Sequence, residues 1–416
     1  MTMALALASP FTVKLSFCSR RSSSKPTPTS TLLLIKSRKP RSSPSSSSRS
    51  QARAATAATT APAAGFCDEE QQQQRQSVEA MQLLMEDAGW AEEHVLPLLT
   101  PVEAAWQPAD LLPSFSDERR GEQVAELQAR AAAVPDDLIV CLVGNMVTEE
   151  ALPTYMSMGN RVDGGRDATG CDGHGWARWL RGWTAEENRH GDLLNRYLYL
   201  SGRVDMRQVE RTVHHLLRRG MRMSGGRPAS PYHGLVYGAF QERATFVSHG
   251  RTARRAALAG DACLARICGV IAADERRHEA AYTRAAARFF EADPDGMVRA
   301  LAEVMRAKVT MPGELMDDGR DGRLFDHFSA VAQRAGVYTA ADYGDMVEHF
   351  VRRWRVADLG GAGGELSGEG RRAQEYVCGL PRKIRRMAEL ADDRAAKKGP
   401  EHVSFSWVFD RPVRLR

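Results

Sequence analysis

Two short segments of this sequence repeat one pattern of acidic and imidazole side chains. Residues 183–192 read WTAEENRHGD, and residues 272–281 read AADERRHEAA. Each contains Glu-x-x-His, with Glu187 and His190 in the first and Glu275 and His278 in the second. On an α-helix, side chains three residues apart lie side by side on one face. A single pair of this kind is usually a solvated surface pair, because charged residues mostly face water.

The residues around each pair indicate that both helices turn this face towards a protein core. Counted by threes and fours, the first pair lies between Trp176, Trp179 and Trp183 on one side and Leu194 and Tyr197 on the other. The second pair lies between Ile267 and Ile271 on one side and Tyr282, Ala285 and Phe289 on the other. Apolar stripes of this period face the core. A buried carboxylate is costly unless its charge is compensated, and a divalent metal ion would compensate both pairs.

Two more glutamates hold equivalent positions one helix earlier. Glu149 precedes Glu187 by 38 residues, and Glu242 precedes Glu275 by 33. The stripe around Glu149 contains Leu138, Leu142, Asn145, Leu152 and Met156, and that around Glu242 contains Leu235, Gly238, Thr245 and His249. Helical bundles build di-metal sites from two such glutamates and two Glu-x-x-His pairs. The sequence therefore predicts a pseudo-symmetric site of four glutamates and two histidines, a ligand set that suits iron or manganese.

Charge divides the chain into two regions. Its 416 residues include 57 Lys and Arg and 52 Asp and Glu, a net charge of +5. Residues 1–67 contain ten of the basic residues and no acidic one, so residues 68–416 carry 47 basic and 52 acidic residues. A Ser-rich, Arg-rich and acid-free N-terminus is typical of an organelle transit peptide, although a disordered basic tail is the alternative. We expect a leader at 1–67 and one domain at 68–416.

Composition argues against several classes of protein. The longest apolar run, residues 138–147, has ten residues, whereas a bilayer-spanning helix needs about 20. The seven cysteines are scattered without a Cys-x-x-Cys pair, which favours neither a zinc ribbon nor a disulfide scaffold. The net basicity comes from the leader, so it does not indicate a nucleic-acid partner. We expect no membrane span and no nucleic-acid binding.

Helical periodicity covers most of the chain. A first helical segment is expected at about 76–100, with Val78, Met81 and Leu84 on one face. Further helices are expected at about 118–161, 175–201, 205–221, 232–258, 260–291, 294–309, 321–335, 339–357 and 367–396. Strand-like alternation is confined to 403–413, which predicts a small terminal β-hairpin. Several helices exceed twenty residues, and this favours an all-α fold built as one large antiparallel bundle.

Taken together, these motifs closely resemble the plant soluble acyl-[acyl carrier protein] desaturases of the stearoyl Δ9 type. The resemblance extends from about residue 78 to 416, through the segments MVTEEALPTY, WTAEENRHGDLLNRYLYLSGRVDMRQVE, FQERATFVSHG, AADERRHEAAYT, DPDGMV, LFDHFSAVAQRAGVYTAADY, YVCGLP and FSWVFDRPV. It implies a homodimeric, ferritin-like bundle in the plastid stroma. It also implies two Fe²⁺ ions per subunit, O₂ and electrons from ferredoxin, which together introduce a cis double bond into a carrier-bound saturated acyl chain in fatty acid biosynthesis.

The resemblance also assigns roles to individual residues. It implies that Glu149, Glu187 and His190 bind one iron and that Glu242, Glu275 and His278 bind the other, with Glu187 and Glu275 as bridges. Thr245 matches a threonine that assists proton delivery at the metal site, and the alternative is a hydroxyl that bonds back to its own helix. Asp274 and Trp106 match an electron path through His190, although a packing role for Trp106 is equally plausible.

An acyl channel beside the Glu149 helix is a further implication of the resemblance. It would be lined by Met158, Gly159, Arg161, Val162, Gly234 and Leu235. Stearoyl-type members carry Leu, Thr and Phe where Gly159, Arg161 and Leu235 stand. Gly159 and Leu235 would widen the channel, whereas a buried Arg161 would be costly and would narrow or reshape it. Arg161 could instead extend to solvent and leave the channel unaffected.

A basic segment near the C-terminus predicts a docking surface. Residues 371–398 contain nine Lys and Arg against four acidic residues. Acyl carrier protein and ferredoxin are both acidic, so either could dock there through complementary charge. The alternative is a solvated helix face, which is what most charge runs are.

The ligand set by itself leaves other functions open. A ferritin-like protein that oxidises or stores iron uses the same ligands in a shorter chain. A di-iron hydroxylase or a radical-generating protein is another possibility. A desaturase homologue that binds acyl carrier without turnover, because of Arg161, is a further one.

Overall fold

The structure is a computed structural model that describes Gln82 and residues 88–114, 116–162, 164–221, 230–308, 311–361 and 366–416. The predicted leader at 1–67 lies outside the described residues, and so do Val78, Met81 and Leu84 of the first predicted helical segment. Part of that segment is described, and it contains a short helix at Ala88–His94.

Twelve helices and two strands occur within the described residues. The first six helices are α1 (Ala88–His94), α2 (Arg120–Ala132), α3 (Asp136–Glu149), α4 (Leu152–Gly159), α5 (Gly175–Ser201) and α6 (Met206–Arg219). The next six are α7 (Pro231–Leu258), α8 (Ala262–Ala292), α9 (Pro294–Ala307), α10 (Leu324–Ala335), α11 (Ala340–Arg353) and α12 (Gly368–Lys398). The strands are β1 (His402–Phe405) and β2 (Arg411–Arg414). The predicted all-α class with a terminal hairpin is confirmed.

One predicted helix is wrong: residues 118–161 form α2, α3 and α4 rather than a single helix. Pro135 occupies the N-cap of α3, and Pro153 lies in the first turn of α4. Proline lacks the backbone N–H that continues a helix and restricts the residue before it, so both positions start new helices. The break places Glu149 at the C-terminus of α3.

Helix α3 lies in the core. Every residue from Leu138 to Glu149 is buried, the pattern of a helix that is surrounded by protein on all sides. No single helix among the described residues is long and apolar enough to cross a membrane, and one bent pair, α2 with α3 at 114°, passes on length and composition only.

Helices α7 and α8 form an antiparallel hairpin joined by residues 259–261. Gly260 makes the turn with φ 86°, a conformation that costs glycine little. Asp261 caps α8 by accepting a hydrogen bond from Leu264 N at 2.8 Å, and it accepts another from Tyr197 Oη of α5 at 2.5 Å. These bonds fix α8 against α5, the two helices that carry the Glu-x-x-His pairs.

The C-terminal hairpin docks onto the start of α3. Strands β1 and β2 pair antiparallel, with Phe405 opposite Arg411. Arg411 donates two hydrogen bonds to the Asp136 carboxylate, both at 2.8 Å, and Arg203 donates a third at 2.7 Å. Trp407, which is fully buried, donates from Nε1 to Thr212 Oγ1 of α6 at 2.9 Å.

Candidate metal centre

The six predicted ligands come together inside the bundle from four helices. Glu149 lies at the end of α3, Glu187 and His190 on α5, Glu242 on α7, and Glu275 and His278 on α8. None of them is more than 1% exposed to solvent. Six titratable groups buried at one place would be strongly unfavourable without a compensating partner.

Two groups of four side chains are close enough for each to hold a metal ion. Glu149, Glu187, His190 and Glu275 form one group, and Glu187, Glu242, Glu275 and His278 form the other. Within each group, one potential ligand atom per residue lies within 4.8 Å of all the others. The groups share Glu187 and Glu275, so these two carboxylates lie between the two positions.

Distances inside the groups place the Nδ1 atom of each histidine against the carboxylates. His190 Nδ1 lies 3.3 Å from Glu275 Oε1 and 3.9 Å from Glu187 Oε2. His278 Nδ1 lies 2.9 Å from Glu187 Oε1 and 3.6 Å from Glu242 Oε2.

An acidic residue on the opposite helix accepts a hydrogen bond from each histidine. Asp274 of α8 lies 3.2 Å from Nε2 of His190 on α5, and Glu186 of α5 lies 2.9 Å from Nε2 of His278 on α8. A carboxylate accepts, so Nε2 carries the hydrogen and Nδ1 can present a lone pair to a metal. Metal-binding histidines are commonly oriented by an outer carboxylate in this way.

Several atoms that face the two groups are left without hydrogen bonds. Within the described residues, Nδ1 of His190 and of His278, both carboxylate oxygens of Glu275 and Oε2 of Glu242 are buried and have no hydrogen-bond partner. Buried polar atoms are almost always satisfied. Buried nitrogen and oxygen atoms without hydrogen bonds that converge from three helices fit a bound cation. These Glu and His residues could therefore hold a metal ion.

Neighbouring charges and burial shift the pKa values of the groups in the site. Burial alone would lower the pKa of His190, but Asp274 and Glu275 outweigh it and raise this pKa to about 10. Burial favours the neutral form of Asp274, yet its hydrogen bond to His190 lowers the pKa to about 2. Burial and the charge of Glu242 raise the pKa of Glu275. A cation would relieve this repulsion.

A clamp outside the two groups ties the outer carboxylates to the segment before α2. The Arg277 guanidinium lies 2.9 Å from both Asp274 Oδ1 and Glu186 Oε2, and it donates to Leu98 O at 3.1 Å. Glu186 also accepts from Thr100 N at 2.6 Å. Sequence reasoning missed Glu186, Arg277 and Thr100. An acidic residue directly precedes both Glu187 and Glu275. This repeat was the signal in the sequence that pointed to Glu186.

The predicted electron-path residues are connected. Trp106 Nε1 donates to Asp274 Oδ2 at 3.0 Å, and the same oxygen lies 3.2 Å from His190 Nε2. The Trp106 ring also stacks on the His190 ring, with centroids 6.1 Å apart. The structure therefore links Trp106 through Asp274 to a ligand-type histidine.

Thr245 and His249 lie on α7 beyond Glu242. The Thr245 hydroxyl donates to Gln241 O at 3.1 Å and to Glu242 O at 2.9 Å. This is the arrangement of a hydroxyl that bonds back to its own helix. His249 is fully buried, and its Nε2 lies 3.3 Å from Glu149 Oε1. Sequence analysis placed His249 on the same helix face as Glu242 but did not predict this contact with Glu149.

An apolar cavity that is partly open to solvent lies beside the metal groups. Its walls include four of the six predicted channel residues, Gly159, Val162, Gly234 and Leu235. The walls also include six aromatic side chains that sequence reasoning did not assign to a channel: Tyr155, Trp176, Trp179, Trp183, Tyr237 and Tyr282. A cavity with mostly apolar walls suits an apolar ligand.

Met158 and Arg161 are corrections to the predicted channel, because neither lines this cavity. Helix α4 ends at Gly159, and Arg161 follows it with an exposed side chain. Helical spacing therefore does not determine where Arg161 points. The expectation that a buried Arg161 narrows the channel is wrong for this structure, and its alternative, a side chain that extends to solvent, is what the structure contains.

Comparison with known proteins gives one consistent family. The family described as fatty acid desaturase matches residues 79–409. The chain is 69% identical over 352 residues to "Acyl-[acyl-carrier-protein] desaturase 4, chloroplastic" of Oryza sativa subsp. japonica, covering 82% of each chain. It is 58% identical over 337 residues to "Stearoyl-[acyl-carrier-protein] 9-desaturase, chloroplastic" of Carthamus tinctorius, covering 81% of this chain and 83% of that one. A relative named "Stearoyl-[acyl-carrier-protein] 9-desaturase 4, chloroplastic", from Arabidopsis thaliana, is 56% identical over 340 residues, with the same coverage.

Proposed function

This chain belongs to the fatty acid desaturase family, and we propose that it introduces a cis double bond into a saturated acyl chain carried on acyl carrier protein, as a step of fatty acid biosynthesis. The observation that carries the proposal is the pair of Glu/His groups that share two carboxylates directly beside an apolar cavity. The relatives are named as desaturases of acyl carrier protein substrates, so the alternative of a ferritin-like protein without desaturase turnover is not favoured.

Two ferrous ions per subunit are part of this proposal. Glu149 and His190 would bind one ion, and Glu242 and His278 would bind the other. Glu187 and Glu275 belong to both groups and would bind both ions. When bound, the irons together with O₂ and two electrons supply an oxidant strong enough to remove two hydrogens from adjacent saturated carbons, which no side chain can do.

The protein's own residues prepare this site in three ways. Asp274 and Glu186 hold the histidine rings with Nδ1 directed inward. The burial of all six ligands excludes bulk water, which limits side reactions at the site. Four carboxylates against two imidazoles give the pocket the negative charge that retains cations.

The cavity would hold the acyl chain with its reacting carbons against the metal groups. Its inner wall includes Trp179, Trp183 and Tyr282. The rings of Trp179 and Tyr282 pack against each other with centroids 5.8 Å apart. Binding of an extended hydrocarbon here is favoured by burial of apolar surface, at about 25 cal/mol per Å².

Two macromolecular partners follow from the proposed reaction: acyl carrier protein as the substrate carrier and ferredoxin as the electron donor. Helix α12 carries eight exposed cations, Arg371, Arg372, Arg382, Lys383, Arg386, Arg394, Lys397 and Lys398, while Arg385 is engaged by Asp345 and Glu348. This exposed charge suits an acidic partner. Electrons would enter along Trp106, Asp274 and His190.

We place the working protein in the plastid stroma as a homodimer. The relatives named above are chloroplastic. Residues 1–67, without a single acidic residue, would be the transit peptide that delivers residues 68–416 as one catalytic domain.

The test is a turnover assay. Purified, iron-loaded protein is incubated with O₂, reduced ferredoxin and acyl carrier proteins that bear saturated chains of increasing length, and the products are analysed by mass spectrometry. We expect an alkene from at least one chain and none from the Glu242→Gln variant. Iron oxidation without any alkene would contradict the proposal and would favour the ferritin-like alternative.

Chain-length preference in the same assay tests the location of the cavity wall. A Cβ at Gly159 would meet only Leu180 Cδ1, at 3.5 Å, so Gly159→Leu should fit and extend into the cavity. We expect this variant to lose rate on the longest accepted chain relative to shorter ones. Arg161→Thr is the control and should leave the profile unchanged, because Arg161 is exposed. A changed profile in Arg161→Thr would contradict the assignment.

A further inference from the structure

The wall between the cavity and the metal groups is a single layer of aromatic rings. Tyr155 and Trp183 have ring centroids 5.8 Å apart, Trp183 and Tyr282 6.2 Å, and Tyr282 and Trp179 5.8 Å. All four rings line the cavity. On the far side of the layer, Trp179 lies edge-on to the His278 ring at 6.1 Å. The acyl cavity and the metal groups are thus separated by one ring thickness.

Two rings of this layer also reach the carboxylates. Trp183 donates from Nε1 to Glu242 Oε1 at 3.1 Å. The Tyr155 hydroxyl lies 3.5 Å from Glu187 Oε2 and donates to Glu149 O at 3.2 Å. Each side chain therefore presents an apolar face to the cavity and a polar hydrogen to the site. Of the two, Trp183 makes the shorter bond to a carboxylate.

The bond from Trp183 fixes the plane of the Glu242 carboxylate, with one oxygen on the indole and the other towards the metal groups. Oε1 accepts from the indole, and Oε2, which has no hydrogen-bond partner among the described residues, lies 3.6 Å from His278 Nδ1. Rotation of the Glu242 carboxylate out of this plane would break the indole bond and leave a buried N–H unsatisfied. The indole therefore holds the carboxylate in one orientation.

The ring layer has little room to absorb a displacement. On α7, one turn before Glu242, a Cβ at Gly238 would lie 2.7 Å from Tyr282 Cδ1. Only glycine fits there, so the backbone of α7 is in direct contact with the Tyr282 ring. Close-packed interiors transmit strain rather than dissipating it. A chain that enters the cavity and presses on Trp183 must therefore move the N–H that holds Glu242.

We propose that Trp183 is a positioning residue through which an acyl chain in the cavity adjusts the orientation of Glu242 in the metal site. This rests on the proposed function, because it takes the occupant of the cavity to be an acyl chain. A purely structural Trp183 would fill space and nothing more. The two roles differ in the indole N–H alone, which Trp183→Phe removes while it keeps an aromatic ring.

The test uses Co²⁺ in place of iron, because its visible absorption reports the geometry of the ligands. Co²⁺ is titrated into metal-depleted protein, and the acyl carrier proteins of the turnover assay are then added while their binding is measured separately by fluorescence anisotropy. In the wild type we expect the acyl carrier to shift the Co²⁺ bands. In Trp183→Phe we expect Co²⁺ affinity to fall about 10–100-fold, as for other residues that orient ligands. We also expect acyl carrier binding to persist with the spectral shift lost.

Trp176→Phe is the matched control, since Trp176 lies on the same helix and lines the same cavity but is not one of the four rings of the layer. It should keep the wild-type Co²⁺ affinity and spectral shift. Wild-type affinity and shift in Trp183→Phe would overturn the proposal. A wild type that binds acyl carrier without any spectral change would overturn the coupling and leave the proposed function standing. A wild type that binds no acyl carrier in the anisotropy measurement would overturn both.

Discussion

Replacing Glu275 by Gln should stabilise the metal-free protein and destabilise the metal-loaded one. Six carboxylates meet at the site, those of Glu149, Glu186, Glu187, Glu242, Asp274 and Glu275, against the possible cations His190, His249, His278 and Arg277. Negative charge stays in excess even with every imidazole protonated. Glu275 is fully buried, its oxygens have no hydrogen-bond partner within the described residues, and burial and Glu242 raise its pKa.

The expected magnitudes have opposite signs in the two states. Because negative charge is in excess at the site, removing one buried carboxylate charge should stabilise the metal-free protein by about 1–4 kcal/mol, the range found when buried ion pairs are replaced by uncharged residues. With an unfolding entropy of about 0.7 kcal/mol per kelvin for a domain of this length, the metal-free Tm should rise by about 1–5 °C. Each metal ion at a hundred times its Kd stabilises the wild type by about 2.7 kcal/mol, so two ions contribute about 5.4 kcal/mol. Glu275 belongs to both groups, and a hundredfold loss of affinity for both ions reduces the gain to about 0.8 kcal/mol. This loss exceeds the stabilisation of about 1–4 kcal/mol that the substitution brings to the metal-free protein.

Differential scanning calorimetry, with chelator and with a fixed excess of Co²⁺, checks whether the order of the two melting temperatures reverses. Glu275→Gln should melt above the wild type without metal and below it with metal. Glu279→Gln, one turn further along α8, is the matched control, because Glu279 accepts from Arg243 at 2.8 Å and lies 3.4 Å from His349. It should lose the same stability in both conditions. A lower metal-free Tm for Glu275→Gln would refute the charge argument.

Three further substitutions test the bundle around the site. Arg411 holds the pKa of Asp136 below its usual value, which is about 3.9 in an unfolded chain. The ionised carboxylate therefore stabilises the fold fully above that pH, and this contribution is lost as the pH falls through the lower pKa of the folded state. Asp136→Asn should therefore lower the free energy of unfolding by about 1.5–3 kcal/mol at pH 7, and chemical denaturation across pH should show the difference closing in acid. Gly238→Ala, whose Cβ would lie 2.7 Å from Tyr282, should cost about 1–3 kcal/mol by overpacking; an unchanged Tm would contradict the tight contact. Thr339→Ala removes the cap that accepts from Asp342 N at the start of α11 and should cost about 0.5–2 kcal/mol in the same denaturation experiment.

Sequence reasoning could locate the ligand residues because helical spacing fixes which side chains share a face. Glu187 and His190 continue an apolar stripe on α5, and Glu275 and His278 do so on α8, so both pairs had to face inward. The same reasoning could not find Glu186, which lies one residue before a ligand and about 100° away around its helix. Its role depends on the neighbouring helix, because it bonds to His278 across the bundle.

The errors in the predicted channel have a related cause. The resemblance implied that Arg161 lines the channel, and periodicity, which extended one helix through residue 161, gave no reason to exclude it. In the structure α4 ends at Gly159, with Asn160 as the C-cap residue. Beyond a helix end, spacing no longer fixes the direction of a side chain, and an arginine gains more from water than from an apolar wall. Gly159, still within α4, lines the cavity as expected.

The repeat that reveals the site in the sequence also shows where its two halves differ. Arg189 and Arg277 occupy the same position in their motifs, directly before the histidine. Arg277 joins the two outer carboxylates, Glu186 and Asp274, at 2.9 Å each. Arg189 instead lies over the Trp106 ring at 5.3 Å, on the side where Trp106 donates to Asp274. The α8 arginine thus locks both histidine partners in place, whereas the α5 arginine covers the aromatic path that leads to one of them. Equal inner ligands combined with unequal outer contacts give the two metal positions different surroundings, and second-sphere contacts of this kind are what tune a bound metal.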